Sequence, residues 1–234
     1  MRKLAILTAL AAMLAAPAAA QAASQLVRVH LYGVHRDAGS IAYHAEDDDC
    51  YAYRGSAEDA LEVRFKSTKP ILMRIQGSRR AASLSYADPR NTELMVGGTG
   101  TSTGSHSVMT NACKYDNSGL IWERDEPEET TDCGGMEFDS YIGEIRYSGG
   151  KMSAVIGPGL APLANVWDAA SCSRPSDVDI DIAEAKVPAS RLWGKDERTF
   201  TLRRHETYES QDESSSEKGM TRTTIYVVFR PLKR

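Results

Sequence analysis

Aromatic side chains, long apolar runs and helical periodicity are all scarce in this sequence. Phe, Trp and Tyr together make up 7% of the 234 residues. A transmembrane β-barrel rims its apolar band with aromatic girdles and crosses on strands of about nine to eleven residues, so the composition argues against one. The longest apolar run, Leu4 to Leu14, is broken by Thr8. It falls short of the roughly 20 residues that a spanning helix needs, and no later segment approaches that length. There is no long run of Lys or Arg, and the formal net charge is −4. Phosphate-backbone binding depends on neutralising basic contacts, so the charge disfavours a nucleic-acid partner and none is expected. The four cysteines show no Cys-x-x-Cys pair, the usual mark of a structural zinc site.

The N-terminal run has the parts of a secretory signal peptide in order. Met1-Arg2-Lys3 is a positive n-region, Leu4 to Leu14 an apolar core, and Pro17 a helix breaker. Both Ala18-Ala19-Ala20 and Ala20-Gln21-Ala22 then offer the small-x-small pattern of a cleavage site. Residues 1–22 are therefore read as a cleaved signal peptide, and the protein as periplasmic or secreted. No cysteine follows the cleavage region, which argues against a lipoprotein. Removing residues 1–22 leaves 212 residues with 26 basic and 32 acidic side chains. In an oxidising compartment an even count of cysteines implies disulfides. Cys50, Cys113, Cys133 and Cys172 allow three connectivities. Cys113–Cys133 with Cys50–Cys172 is favoured, because the first bridge would tie the ends of one polar excursion.

Past the signal peptide, apolar residues recur with a period of two. Val27, Val29 and Leu31 alternate with Arg28, His30 and Tyr32; Leu61, Val63 and Phe65 alternate with Glu62, Arg64 and Lys66. Each triplet would share one face of a half-buried strand. Ile71–Ile75, Glu93–Val96 and the Val178, Ile180, Ile182 alternation add further strands. Tyr141 to Ile156 reads as a hairpin turning at Ser148-Gly149-Gly150. Thr223 to Phe229 is β-branched and aromatic throughout, and reads as a strand buried on both faces. Helix signals are confined to single turns at Ser56–Leu61 and Leu163–Ala170. Asp125–Asp132 and Ser210–Gly219 are polar enough to read as solvated loops. The pattern predicts an all-β, antiparallel β-sandwich of immunoglobulin-like type. It is either one large sandwich or two small ones, residues 23–110 and 111–234.

Candidate chemistry is thin. Gly100-Thr101-Ser102-Thr103-Gly104 matches the G-x-S-x-G nucleophile elbow, which lifts a serine on a sharp strand-to-helix turn. Residues 105–109 carry no helical pattern, so a hydroxyl-rich loop or edge strand is the plainer reading. Of His30, His35, His44, His106 and His205, only His35 and His44 look paired. They flank a supposed turn at Asp37 and Gly39, just before Asp47-Asp48-Asp49, and surface histidines beside an acidic turn explain them equally well. His205-Glu206 begins like H-E-x-x-H, but position 209 is Glu and the region reads as strand. Asp177, Asp179 and Asp181 share one strand face. A solvated edge accounts for them more simply than Ca²⁺, which takes six to eight oxygens. No catalytic, cofactor-binding or metal residue is assigned, and no cofactor is expected. The reading is a non-enzymatic exported protein that binds a protein or small ligand or serves an envelope role, with no membrane span after cleavage. The alternative is a secreted hydrolase using Ser102 or a His/Asp cluster.

Overall fold

The computed structural model describes residues 23–46, 51–112, 115–116, 119–120, 123–124, 129–157 and 180–232. The strands in chain order are β1 (Ala23–Glu46), β2 (Tyr51–Ser67), β3 (Ile71–Gly77), β4 (Ala82–Tyr86), β5 (Leu94–Ala112), β6 (Tyr115–Asp116), β7 (Gly119–Leu120), β8 (Glu123–Arg124), β9 (Glu129–Ser148), β10 (Lys151–Gly157) and β11 (Ile180–Lys186). One helical turn, α1 (Ala189–Leu192), precedes β12 (Arg198–Gln211) and β13 (Ser215–Pro231).

The fold is all-β and antiparallel. One sheet runs β4-β3-β1-β2-β5-β9-β10-β11-β12-β13, and β13 pairs again with β1. This last ladder extends from Val27 opposite Pro231 to Tyr43 opposite Ser215. The sheet thus closes on itself through β1, β2, β5, β9, β10, β11, β12 and β13. A sandwich would set two sheets face to face. Here the apolar face of a single sheet turns inward, and strands from both sides of residue 110 share it. Along β1, the other neighbour changes: Ala23–Val29 pair with β3, and Tyr32–Glu46 pair with β2.

The period-two pattern explains the core. Val27, Val29, Leu31, Leu61, Val63, Phe65, Phe200, Leu202, Ile225, Val227 and Phe229 are buried on the inward face. They are joined by Ile145, Met152, Ala154 and Ile156. Burying each large apolar side chain contributes about 1.5–3 kcal/mol. Phe200 and Phe229 meet edge to face, 5.0 Å apart. One end of the ring is closed by Leu192 of α1 and by Ile71, Met73 and Ile75 of β3, all fully or almost fully buried. Trp193 Nε1 donates to the Ser78 carbonyl at 3.0 Å and the Tyr147 hydroxyl to the Val187 carbonyl at 2.9 Å, fixing the closing segment to the strands around it.

Toward the other end β10 and β11 stop early, while β12, β13, β1, β2 and β5 run on in register. Three glycines help to set that register. Gly33 lies against the Phe65 ring, Gly55 against Tyr43 and Gly219 against Tyr208, each aromatic coming from the adjacent strand.

Several sequence expectations are met. The hairpin at 141–156 is present, with Gly149 and Gly150 at φ +59° and +78°, values that glycine adopts without strain. Others are corrected. Ser56–Leu61 is not a helical turn but part of β2, because its ladder partners on β1 and β5 outweigh its local propensity. Ser210–Gly219 is not a loop: β12 reaches Gln211 and β13 starts at Ser215. The Asp212 carboxylate orders the short turn between them by accepting from the backbone N–H of Ser214 at 2.8 Å and of Ser215 at 2.5 Å. The 223–229 strand buries its inward face, whereas outward Thr224 and Tyr226 are half-buried and only Val228 is buried. Of the polar stretch 125–132, residues 129–132 belong to β9; 125–128 and the turn expected at 163–170 lie outside the described residues.

Candidate binding site

The candidate catalytic residues do not assemble. Gly100–Gly104 lies in the middle of β5, paired in unbroken register with β2, where Ser102 is opposite Leu61, while the β9 side shifts register between Thr101 and Thr103. A continuous paired strand has none of the strand-to-helix strain that makes a nucleophile elbow. The stretch from His35 to His44 is likewise strand, not turn. Nine residues separate these histidines, an odd number, so they occupy opposite faces and stand roughly 30 Å apart. His35 is 3% exposed and its Nδ1 lies 2.9 Å from the Thr223 hydroxyl. His44 is exposed on the outward face. His205, also outward, accepts at Nδ1 from Arg222 Nε at 3.3 Å. His30 sits on the outer wall near Arg230 and Glu197. Its pKa is lowered, first by partial burial and then by Arg230, against an opposing contribution from Glu197. His106 has its backbone in β5 opposite Ala57, and no more of it is described. Asp181 is the second residue of β11, after Ile180. Asp177, Asp179, Asp47, Asp48 and Asp49 lie outside the described residues, as do Cys50, Cys113 and Cys172. Cys133 is placed by its backbone in β9. No cluster of three or more His, Cys, Asp or Glu suited to a metal occurs among the described residues.

A concave feature of the described surface lies elsewhere, on the outward face of β12, β13, β1, β2 and β5. Directly opposed residues in an antiparallel ladder share a face, so the register defines rows across these five strands. One row reads Thr207, Met220, Ala38, Ala60, Thr103; the next reads Glu209, Lys218, Ser40, Glu58, Ser105. These two rows line a hollow of about 750 Å³. A second hollow of about 490 Å³ continues above it past Ala42, Ser56, Ser107 and Met109 to the Asp212 turn. A third, of about 290 Å³, continues below it to Arg36, Glu62 and Arg222. Together they form a trough along β1 and β2 from the level of Arg36 to that of His44, roughly 27 Å at the rise of a strand.

Side-chain size makes this trough. Ala38, Ser40, Ala42, Ser56 and Ala60 leave its floor bare, and Met220, Lys218, Glu209 and Glu58 stand around them. Alternate residues of β5, Thr101, Thr103, Ser105 and Ser107, line one side with hydroxyls. Both ends are held in place. Below, the Glu62 carboxylate accepts from Arg36 Nε at 2.6 Å and from Arg64 Nε at 2.8 Å. Those two hydrogen bonds pull its pKa below the ordinary carboxylate value. Above, Asp212 is held ionised by the Ser214 N–H first and then by the Ser215 hydroxyl and N–H. Such a surface offers shape, hydroxyls and a few charges. It brings no nucleophile next to a base.

Sequence reasoning passed over these residues because small outward side chains carry no hydrophobic signal. The trace was the alternation itself: Ala38-x-Ser40-x-Ala42 and Thr101-x-Thr103-x-Ser105-x-Ser107 are the outward halves of strands whose inward halves carry the periodicity. No protein-family model matches the chain, and none of the curated proteins compared with it aligns with it.

Proposed function

We propose that the protein is an exported, non-enzymatic binding protein that holds an extended protein segment or an elongated small ligand in the outward trough. The observation that carries this reading is the run of three hollows on neighbouring rungs, floored by Ala38, Ser40, Ala42, Ser56 and Ala60. Concave surfaces with a few fixed polar groups are where ligands bind, and a trough one strand long suits a chain more than a compact molecule. The register sets Ser102 on the inward face and His44 and His205 on the outward face, and inward His35 is two strands away with its Nδ1 taken up by the Thr223 hydroxyl, which supports binding over hydrolysis. The outer wall supports aqueous surroundings: Arg28, Arg64, Lys66, Arg146, Lys151 and Arg203 are all exposed on it, and ionised side chains on a lipid-facing surface are destabilising. No helix among the described residues is long and apolar enough to cross a membrane.

The test is to select linear peptides displayed on phage against the protein lacking residues 1–22, then to measure their affinity for an Ala60→Trp variant. Ala60 is exposed, so the indole fills the trough without entering the core. Selected peptides should bind the variant at least about tenfold more weakly, with the unfolding midpoint unchanged. Peptides that bind both proteins equally would place the ligand surface elsewhere.

A further inference from the structure

From the lower end of the trough downward the β1–β13 ladder repeats one motif on both strands. Arg28, Tyr32 and Arg36 are spaced by four on β1, and Arg222, Tyr226 and Arg230 by four on β13. The register sets Arg28 opposite Arg230, Tyr32 opposite Tyr226 and Arg36 opposite Arg222. All six lie on the outward face, so two arginine pairs flank a tyrosine pair along a line of roughly 27 Å. The tyrosine rings stack on each other, 4.9 Å between centroids and 17° between planes. Lys66 is opposite Tyr32 on β2, and Arg203 is opposite Thr224 on β12.

Like charges directly opposite each other destabilise an antiparallel pair, and this ladder has two such rungs on one face. Neighbours relieve them in part: Arg36 is paired with Glu62 at 2.6 Å, and Arg230 with Glu197 at 2.5 Å. Arg28, Lys66 and Arg203 have no carboxylate partner among the described residues. The basic line stands on a chain whose net charge is negative. Folding alone gives no reason to keep it, whereas an anionic partner would.

We infer that the outward face of the β1–β13 ladder binds a linear acidic polysaccharide, with carboxylate or sulfate groups at the two arginine pairs and sugar rings against the tyrosine pair. A guanidinium matches such anions by paired hydrogen bonds. The line follows two strands on the outside of a closed ring, so it suits a chain laid along it and not a compact anion. The line meets the trough at Arg36 and Arg222, which also line its lowest hollow, whereas Arg28, Tyr32, Tyr226 and Arg230 lie outside it, and the inference stands whether or not the trough holds a ligand.

Binding is measured to polygalacturonate, with neutral dextran, single-stranded DNA and phosphatidylglycerol vesicles in parallel, at low and at near-physiological salt. The protein should bind polygalacturonate, more weakly as salt screens the charges, and should not bind dextran. The Arg28→Gln/Arg222→Gln double variant removes one cation from each like-charged rung and breaks no ion pair, only the exposed Arg222–His205 hydrogen bond. It should bind at least about tenfold more weakly, while its unfolding midpoint stays level or rises. Weaker binding together with an unimpaired fold is the signature of a ligand surface. Three results would overturn the inference: no binding to polygalacturonate at low salt, equal binding by the double variant, or tighter binding to DNA or vesicles than to the polysaccharide.

Discussion

Replacing Gly33 by alanine tests the packing that sets β1 between β2 and β13. A Cβ at this position would stand 2.3 Å from the Thr224 carbonyl oxygen and 2.7 and 2.9 Å from Phe65 Cζ and Cε2. The Phe65 ring has room to tilt. The carbonyl belongs to the neighbouring strand and cannot retreat without disturbing the β1–β13 ladder. Overpacking of this kind destabilises by about 1–3 kcal/mol. Against it stands the backbone gain of replacing a glycine in a strand, about 0.5–1 kcal/mol. Crowding wins, and Gly33→Ala should lose about 1–2 kcal/mol. Gly104 supplies the control. A Cβ there meets only the Glu58 carbonyl oxygen, at 3.7 Å, an ordinary contact. Gly104→Ala should therefore be neutral or gain up to about 1 kcal/mol. Urea denaturation of both variants gives the comparison, read as shifts in midpoint at unchanged slope. A Gly33→Ala protein as stable as the parent would refute the register of Phe65 over Gly33.

Ser102→Ala should change neither stability, beyond about 0.5 kcal/mol, nor binding, and a fluorophosphonate probe should leave the parent unlabelled; stoichiometric labelling lost in the variant would revive the hydrolase. The Glu62 carboxylate has a folded pKa below its ordinary 4.5. Its contribution to stability is therefore present above pH 4.5 and lost as pH falls through the folded value. Arg36 and Arg64 are largely exposed, so Glu62→Gln should lose less than about 1 kcal/mol at pH 7 and nothing in strong acid. A difference that grows on acidification would contradict the pairing. Cysteine connectivity is open to peptide mapping under non-reducing conditions. A Cys113–Cys133 peptide is expected, closing a loop that contributes about 3 kcal/mol in the chain-entropy model, and four free thiols in the exported protein would refute the pairing.

The strands were legible because half-buried strands write their inward face as alternation: Val27, Val29 and Leu31 are buried where the pattern put them. The closure was not legible. Alternation says which residues turn inward but not whether two sheets face each other or one sheet curls, and that depends on Val27–Tyr43 finding Ser215–Pro231, nearly two hundred residues away. Residues 35–44 and 56–61 were misread for another reason. Gly39, Asp37 and Ser56 have turn and cap chemistry, and long-range ladders overrode it. The arginine pairs escaped notice because Arg28 and Arg230 become neighbours only through the register. The trough escaped because Ala38 and Ala60 are informative only once their neighbours across the sheet are known.

The measurement that meets the central claim most directly is alanine-methyl NMR of the protein lacking residues 1–22, titrated with a trough-selected peptide. Ala38, Ala42 and Ala60 project from the outward face, whereas Ala154 and Ala183 are fully buried in the core. The methyl resonances of Ala38, Ala42 and Ala60 should shift in step with occupancy while those of Ala154 and Ala183 stay in place. Saturating peptide that leaves all three outward methyls unmoved would contradict the claim that this face is where the protein binds.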